Sequence, residues 1–303
     1  MMTLEQLLKN LQSPTGPVDV VMDTDAGAEI DDQFAIAYLL RSKPQLRTLA
    51  IYAAPFSNHL AATPEEGMEK SYHEILKVLE LCGEKTEVYR GSKTYLPDEQ
   101  TPVDSPAARD LVAKAIAHTA EDPLYVVAIG AITNVASALL LKPEIAERIV
   151  VVWLGGHAHH FHDTQEFNMM QDYGAARVVM RSGAPFVQLP CCGVVSAFAT
   201  TEPELEKWLF NKNPLADYLA RNVVQHIRQR GKEGLCWSKT IWDVTAVGWL
   251  LNENDRFMLH RRIPGRLPDD SGYYREEMDR EIDYVYYIKR DELMTDLVKK
   301  LTK

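Results

Sequence analysis

Five acidic side chains lie close together near the beginning of the sequence, directly after an apolar run at residues 18–22. They are Asp23, Asp25, Glu29, Asp31 and Asp32. Carboxylates crowded in this way repel one another unless a cation lies between them. A hard divalent ion suits such oxygens, and Ca²⁺ in particular accepts roughly six to eight of them in a flexible geometry. The residues therefore predict a site for a hard divalent cation.

The spacing of the acids favours such a site. Alternation along a strand sends the side chains of Asp23 and Asp25 to the same side. The loop that follows can bring Asp31 or Asp32 back to meet them. In a simpler interpretation, Asp31 and Asp32 only cap the next helix, whose N-terminal dipole favours carboxylates. Capping accounts for one of these acids but not for all five.

Short apolar runs that alternate with amphipathic segments indicate the elements that position the acids. Continuous apolar runs are typical of buried parallel strands, and they lie at residues 18–22, 49–54, 124–129, 149–154 and 185–189. Segments with helical spacing of apolar residues include 71–81 and 107–120. This order predicts an α/β fold in which a single domain over residues 1–303 has a mainly parallel open sheet, a Rossmann-like core and helices on both faces. Ligands then belong at the carboxyl ends of the strands.

The C-terminal third has a different pattern. Residues 205–251 are predicted to be helical, and the turn sequence PDDSG follows them. A strand is predicted at 282–288 and a final helix at 290–301. We expect this tail to form a small excursion from the main sheet.

The acidic cluster resembles the aspartate fingerprint of the nucleoside hydrolases, the family that includes the inosine-uridine preferring enzymes. DTDAG followed by DD is similar to the family pattern DxDPGxDD. Further similar segments follow in the family's order over nearly the whole chain. They are AIGAITNVASAL (128–139), VVWLGG (151–156), EFN (166–168) with Asp172 and the alanines at 175–176, Trp242 with Asp243, and the closing segment from DDSGYY onward. The resemblance implies a nucleoside hydrolase-like fold and hydrolysis of an N-glycosidic bond.

The resemblance also implies a set of calcium ligands. These are the carboxylates of Asp25, Asp32 and Asp243 and the main-chain carbonyl of Thr133. Asp25 would in addition act as general base toward a water molecule on the calcium ion, since a metal lowers the pKa of its water and a carboxylate can take the proton. Asp243 lies in an apolar run, where a buried carboxylate is costly without a cation. Thr133 and Asn134 could instead serve only as a helix N-cap.

A second set of residues would bind the ribose. By resemblance, the side chains that hydrogen-bond to the ribose hydroxyls are those of Asp31, Asn58, Glu166 and Asn168, while Asp23 supports the cluster from behind. Carboxylates and amides around a sugar stabilise the oxocarbenium-like charge that develops as the base departs. Glu166 and Asn168 could otherwise be ordinary polar loop residues.

The chain departs from the family pattern at several positions. DTDAGAEIDD is two residues longer than the family spacing and has Ala26 in place of proline. The extra length leaves open which acid faces the metal and makes Glu29 a further candidate. Asn58 lies in PFSN where the family has GN, and Leu154 replaces a methionine.

Trp242 takes the position at which many family members have a histidine that protonates the leaving base. A purine-specific branch of the family also has tryptophan there, where stacking raises the basicity of the base so that solvent can protonate it. We therefore assign Trp242 a catalytic role and favour purine ribosides. That branch uses a second tryptophan from its N-terminal half, whereas the first tryptophan of this chain is Trp153. A core position for Trp242 is the alternative.

The histidine-rich segment HAHHFH, residues 157–162, follows a predicted strand at the ligand edge of the sheet. We expect it to line the substrate cavity, and we assign His160 to contact the base or act as an acid. Imidazoles also bind zinc, but this spacing is too tight for a typical structural site. A plain surface loop is the third interpretation.

Composition argues against several other classes of protein. A net charge of −10 and the lack of any Lys/Arg run longer than two argue against nucleic acid as a ligand. The sequence has neither a signal-peptide-like N-terminus nor the roughly 20 apolar residues that span a bilayer, so we expect a cytoplasmic protein without a membrane partner. The four cysteines, Cys82, Cys191, Cys192 and Cys236, are expected to be free thiols.

The sequence thus favours an N-glycosyl hydrolase that converts ribonucleosides, purine ribosides in particular, to free base and ribose with Ca²⁺ as cofactor. A hydrolase of another N-riboside, such as a nicotinamide or modified nucleoside, is one alternative, and a noncatalytic riboside-binding protein is another. A phosphatase is less favoured, because it would need a lysine and phosphate-cradling glycines near the metal, and only Gly27 lies in that loop. By resemblance, a homodimer or homotetramer is expected.

Overall fold

Strands and helices alternate along most of the chain. The structure is a computed structural model that describes residues 2–231 and 234–303. In these residues the strands are β1 Val18–Thr24, β2 Leu46–Ala53, β3 Glu87–Arg90, β4 Leu124–Ala128, β5 Ile149–Leu154, β6 Phe186–Leu189, β7 Ala199–Thr200, β8 Lys239–Thr240, β9 Met258–Pro268 and β10 Tyr274–Ile288. The α-helices are α1 Leu4–Asn10, α2 Asp32–Leu40, α3 Pro64–Cys82, α4 Pro106–Ile116, α5 Thr133–Leu141, α6 Phe167–Gln171, α7 Tyr173–Arg181, α8 Glu202–Trp208, α9 Pro214–Gln229, α10 Val244–Trp249 and α11 Arg290–Leu301. Short 3₁₀ helices cover Pro143–Glu147, Val195–Ala197 and Glu253–Asp255.

One large sheet has the strand order β3-β2-β1-β4-β5-β6-β10-β9. Its neighbours pair in parallel except for β9 and β10, which are antiparallel. β7 and β8 form a separate two-stranded antiparallel ribbon. The mainly parallel open sheet confirms the predicted α/β fold class.

Helices cover both faces of the large sheet, because its central strands are apolar on both sides. Val20 and Met22 of β1 pack in one buried cluster with α2, α3, α9, α10 and α11. Val21, between them, packs in a second cluster with α4, α5 and α7. Each central strand is therefore shielded from water on both faces, as the continuous apolar runs predicted.

The five strands predicted from apolar runs are all present, as β1, β2, β4, β5 and β6, with small shifts at their ends. The predicted helices 71–81 and 107–120 correspond to the second half of α3 and to α4. β3 is not predicted, because both of its end residues are exposed and it has no continuous apolar run.

The tail joins the main sheet, so the expectation of a small terminal excursion is wrong. β10 pairs in parallel with β6, with Asp283 opposite Val187, and antiparallel with β9. The predicted strand 282–288 is only the second half of β10, because the first half carries mostly exposed charged side chains and lacks an apolar signal. The PDDSG turn and the final helix α11 are confirmed.

The order of the strands creates a crevice beside β1. The chain leaves β1 for β2 on one side of the sheet, and it later returns to place β4 on the other side. Loops that follow β1 and β4 therefore diverge, which is the usual position of a ligand site in an open α/β sheet. None of the helices in the described ranges combines the length and the apolar character needed to cross a bilayer.

Candidate functional site

A cavity of about 380 Å³ opens at this edge of the sheet, where β1, β4, β5 and β6 end. Its size suits a small-molecule ligand. Eight of the ten residues that were predicted as site residues line it, and Thr133 and His160 do not. The eight are Asp25, Asp31, Asp32, Asn58, Glu166, Asn168, Trp242 and Asp243.

Acids from distant parts of the chain meet in this cavity. One carboxylate oxygen each from Asp31, Asp32 and Asp243 lies within 4.8 Å of the others, so that the three could hold a metal ion. The Asp243 amide N–H also donates to Oδ2 of Asp31 over 3.4 Å. The loop before α10 therefore brings Asp243 to the N-terminal acids, as the predicted metal site requires.

Asp25 lies at the end of β1 and is buried. Its Oδ2 atom has no hydrogen-bond partner among the described residues. Burial raises the pKa of its carboxyl well above the usual value, and the negative charges of Asp32 and Asp31 raise it further. The segment that follows β4 approaches closely, because a Cβ atom built on Gly130 would lie 3.0 Å from the Asp25 carboxyl carbon. Glycine at position 130 thus leaves room for this side chain.

The remaining acids repel one another in the same way. Burial raises the pKa of Asp32 to about 8, with the charge of Asp31 as the next cause, although the Thr24 hydroxyl donates to Oδ1 of Asp32 over 2.6 Å. Burial and the charges of Asp31, Asp32 and Asp25 raise the pKa of Asp243. A cation would relieve this repulsion and would satisfy the buried oxygens, so the residues fit a bound metal ion.

Capping does not explain Asp31. The residue lies at the N-cap position of α2, but its side chain makes no capping hydrogen bond there. Its side chain instead accepts a hydrogen bond from the amide of Asp243. The simpler interpretation of the acidic cluster as a helix cap therefore loses its support.

Glu29, the acid in the two-residue insertion, turns toward cations. Its carboxylate pairs with Lys239 over 3.1 Å, with Arg230 over 2.8 Å and with His226 over 3.4 Å. Burial opposes its ionisation, but these partners lower its pKa overall. The insertion thus adds an acid at the cavity wall that already has its own counter-charges, which removes Glu29 as the preferred metal ligand.

Asp23 lies behind the cluster. Its Oδ1 accepts a 2.8 Å hydrogen bond from Nδ2 of Asn134, while its Oδ2 has no partner among the residues described. Burial raises its pKa to about 7. Oδ1 of Asn134 in turn accepts from the main chain and the hydroxyl of Ser92. Asn134 is thus a buried link between β1, the start of α5 and the loop after β3.

Glu166 is held by three main-chain N–H groups. Oε1 accepts from Asn168, and Oε2 accepts from Gly156 and Met169, each over 2.9 Å. Burial nevertheless raises its pKa to about 7. These bonds fix the carboxylate at the N-terminus of α6, facing the cavity.

Asn168 ties two strand ends together. Its Nδ2 donates to the carbonyl of Ile129 after β4 over 3.2 Å and to the carbonyl of Leu154 at the end of β5 over 3.0 Å. Glu166 and Asn168 are therefore not ordinary polar loop residues, since both are buried and hold the cavity wall in place.

Thr133 lies away from the cavity lining, at the first position of α5. Its hydroxyl donates to Oδ2 of Asp172 over 2.7 Å, so it is not a side-chain N-cap either. Between β4 and α5, the residue that lines the cavity is Ile129, and its carbonyl accepts a hydrogen bond from Asn168. The hydrogen bond to Asp172 concerns the side chain of Thr133, so its main-chain carbonyl stays a predicted calcium ligand.

Trp242 lines the cavity and also packs against the core. The ammonium group of Lys239 lies 4.0 Å from the centre of its ring. Its buried Nε1 has no hydrogen-bond partner among the described residues. A ring with one face toward a cation and an unused N–H donor beside an open cavity is suited to contact a ligand.

The histidine-rich segment divides between several environments. His160 borders a different surface depression, together with His159, Arg261 and Arg266. His157 is the histidine of this segment that lines the cavity. The ring of His159 packs against Tyr274 and Tyr284. The segment therefore reaches the cavity through His157, whereas His160 lies outside the cavity lining.

Several cavity residues were not predicted. They are Ala28, His59, Ile129, Leu154, Gln165, Phe167, Cys191 and Arg230, whereas His157 lies in the segment expected to line the cavity and Glu29 was a further metal candidate. Position at the end of a predicted strand, or shortly after it, was an available signal for Ile129 and Cys191. Arg230 follows a long amphipathic helix, and nothing in its local sequence relates it to the cavity.

Comparison with known proteins agrees with this geometry. The sequence profile of the family described as inosine-uridine preferring nucleoside hydrolase matches residues 20–291. The non-specific ribonucleoside hydrolase RihC of Salmonella paratyphi B is 25% identical over 262 residues, covering 78% of this chain and 79% of its own. RihC of Salmonella typhi matches to the same extent.

Solved structures show the same fold. A plant nucleoside hydrolase, the PpNRh1 enzyme, has a TM-score of 0.72 at 20% identity, with coverage of 94% of this chain and 99% of that chain. A purine-preferring ribonucleoside hydrolase from Gardnerella vaginalis has a TM-score of 0.70 at 20% identity, with coverage of 94% and 98%. The profile match spans most of the sequence, and the chain therefore belongs to the nucleoside hydrolase family and is an N-glycosyl hydrolase.

Proposed function

We propose that this protein hydrolyses the N-glycosidic bond of purine ribonucleosides, with calcium held by Asp25, Asp32 and Asp243. The observation that carries the proposal is the convergence of these acids with Glu166 and Asn168 around one cavity, in which Asp32 and Asp243 also lie close to Asp31. Oxygen ligands from flexible loops suit calcium better than softer metals. The main-chain carbonyl of Thr133 is the further ligand in this proposal, as the family resemblance implies.

Calcium, when bound, lowers the pKa of a coordinated water molecule and neutralises the surrounding carboxylates. Asp25 is the base in this arrangement, because its buried Oδ2 is free to accept a proton from the attacking water. The water oxygen bonds to C1′ of the ribose, and the bond from C1′ to the base nitrogen breaks. The electron pair of that bond leaves with the base, which then takes up a proton.

Asp31, Asn58, Glu166 and Asn168 bind the ribose in this proposal. The carboxylate of Glu166 is already fixed by main-chain N–H groups, so little further ordering is needed when the sugar binds. A fixed negative charge close to C1′ stabilises the positive charge that builds up on the ring as the bond breaks.

Trp242 is proposed to contact the leaving base. Its ring lies on the cavity wall, and a purine offers a larger stacking surface than a pyrimidine. His157 lines the same cavity and is the histidine best situated to meet the base. Stacking and the nearby imidazole together support the proposed preference for purines.

The substrate assignment is tested by incubating calcium-loaded protein with inosine, adenosine, guanosine, uridine and nicotinamide riboside and measuring free ribose. We expect release from the purine nucleosides to exceed release from uridine. Hydrolysis of nicotinamide riboside alone would assign a different leaving group. Binding of the nucleosides without release of ribose from any of them would contradict the enzyme and favour a riboside-binding protein.

We also propose a homodimer or homotetramer in the cytoplasm. The support is the family resemblance. Light scattering on the purified protein measures the mass directly, and a single mass of about 34 kDa per particle, equal to one chain of 34.3 kDa, would contradict the oligomer.

A further inference from the structure

Two cysteines and a histidine meet at the rim of the cavity, outside the cluster of acids. One donor atom each from His157, Cys191 and Cys192 lies within 4.8 Å of the others. His157 follows β5, and the two cysteines follow β6, which pairs with β5 in parallel. The sheet thus brings together three ligating side chains that are far apart in the sequence.

Main-chain contacts hold the two loops against each other. The amide of Cys191 donates to the carbonyl of Gly156 over 2.8 Å, and the amide of Ala158 donates to the carbonyl of Cys192 over 3.0 Å. Gly193 completes the turn with a φ of +93°, and a Cβ atom there would lie 2.8 Å from the Cβ of Ala158. The donor atoms are therefore positioned by backbone structure before any ligand binds.

The chemistry of these donors differs from that of the acids. Thiolates and imidazole prefer soft or borderline cations, whereas carboxylates prefer calcium. All three side chains are half-buried, and the cysteines are free thiols. A set of two cysteines and one histidine is sufficient for zinc and leaves one coordination position open.

We propose that His157, Cys191 and Cys192 form a binding site for a thiophilic divalent cation of the zinc class. This site differs from a zinc site formed within HAHHFH alone. His157 is its only ligand from that segment, so the close spacing of the histidines does not restrict the geometry of the site. Binding releases the two thiol protons, so that each sulfur becomes a charged ligand.

The site also has a consequence for catalysis, which rests on the proposed function. His157 and Cys191 both line the substrate cavity, so a cation bound to them narrows the space available for the base. Zinc is then expected to inhibit ribose release. Cys192 is not part of the cavity lining, so Cys192→Ser should keep the basal activity while it loses most of this inhibition.

The binding test uses the protein saturated with calcium, so that the acids are already occupied. Zinc affinity is measured by calorimetry, and Co²⁺ is added separately because thiolate ligation produces a charge-transfer absorption that carboxylate ligation does not. We expect one equivalent of zinc and a thiolate-to-cobalt band in the wild type. Affinity should fall at least tenfold in His157→Ala, Cys191→Ser and Cys192→Ser, and it should be unchanged in Cys236→Ser, which alters an exposed cysteine.

Thiol protection in the wild type gives a second readout that needs no variant. Zinc should slow alkylation of Cys191 and Cys192, located by mass spectrometry, and leave alkylation of Cys236 unchanged. Chelation should reverse the effect. A wild type without a thiolate-to-cobalt band, or equal alkylation of Cys191 and Cys192 with and without zinc, would overturn the proposed site. Since these readouts do not involve ribose release, their failure is distinct from failure of the proposed hydrolase function.

Discussion

Asp25 is the side chain of the cavity that is suited to two roles, metal binding and proton transfer. It is buried directly after β1, lies near Asp31, Asp32 and Glu166, and keeps one oxygen without a partner among the described residues. Such an oxygen is costly unless it receives a metal ion or a proton during the reaction. The carboxylate is therefore suited both to bind calcium and to act as a base.

Asp25→Asn should abolish turnover while sparing the fold. The amide cannot accept the proton from water, and the loss of a general base lowers rates by roughly 10²- to 10⁴-fold. The measurement is kcat for ribose release, together with nucleoside affinity by calorimetry. Asp19→Asn is a matched control on the same strand, because Asp19 pairs with Arg47 at the opposite end of β1. Equal activity of the Asp25 variant and this control would reject Asp25 as the base.

Trp242→Ala tests the contact with the leaving base. Loss of stacking worth about 0.5–1.5 kcal/mol predicts a fall of roughly two- to tenfold in kcat/KM for inosine. The fall for uridine should be smaller, since a pyrimidine has less surface to stack. Trp208→Ala is the control, because Trp208 is exposed and borders a different surface groove. If the ratio of inosine to uridine hydrolysis stays constant in Trp242→Ala, Trp242 does not select for purines.

At the scale of elements, the loops are held by buried polar links as well as by apolar packing. Asn168 joins the ends of β4 and β5, and Asn134 joins β1 to the start of α5. Both amides bond to groups that would otherwise be buried without partners. The strand ends therefore keep their relative positions, and the acids keep theirs.

Asn134→Ala should destabilise the protein. It removes a hydrogen bond to Asp23 and leaves the main-chain N–H of Ser92 without its acceptor, and an unsatisfied buried group costs about 1–3 kcal/mol. The free energy of unfolding is measured by urea denaturation. Asn222→Ala, on the partly exposed side of α9, should change it by less than about 0.5 kcal/mol. A similarly small change in Asn134→Ala would show that this link contributes little.

The sequence predicted some strands of the sheet fully and others only in part. The runs that became β1, β4 and β5 were readable because each is apolar on both faces. β10 was recognised only in part, since its charged first half has no strand signal and its pairing with β6 is a long-range contact. The cluster of His157 with Cys191 and Cys192 could not be predicted for the same reason, because the adjacency of β5 and β6 creates it.

The acids of the site were more predictable than its other groups. Asp25, Asp31 and Asp32 stand in a recognisable motif, and a buried Asp243 needs a cation wherever it lies. A main-chain ligand has no side-chain signature, so the Thr133 carbonyl depends on the family resemblance alone and stays a prediction. The residue after a strand cannot be told from its neighbours by type alone, and His160 was chosen over His157 on that account.

At the scale of the whole molecule, ionisation of the buried aspartates in the site opposes folding when no cation is bound. Without calcium, several buried carboxyls have raised pKa values. Burial and the charge of Asp31 raise the pKa of Asp32 to about 8, and burial alone raises the pKa of Asp23 to about 7. In the unfolded chain the same groups ionise near pH 4. The folded state therefore binds more protons than the unfolded state between these pH values.

This difference gives stability a defined pH dependence. Because the pKa values of these carboxyls are raised in the folded state, their contribution to stability without calcium is greatest below about pH 4 and is lost as pH rises toward about 8. Calcium binds the ionised carboxylates and should oppose that fall. Thermal unfolding in chelator and in excess calcium measures the effect, and the gap in Tm should widen with pH in the wild type and shrink in Asp243→Asn. An equal Tm with and without calcium across this range would contradict calcium binding at the acids.

The central claim is that Asp25, Asp32 and Asp243 hold one calcium ion beneath the ribose. A crystal structure of the protein grown with Ca²⁺ and free ribose tests it most directly. We expect one calcium ion with oxygens of all three side chains about 2.3–2.6 Å away, and the ribose hydroxyls between that ion and Glu166 and Asn168. Calcium bound elsewhere, or held without Asp243, would contradict the account.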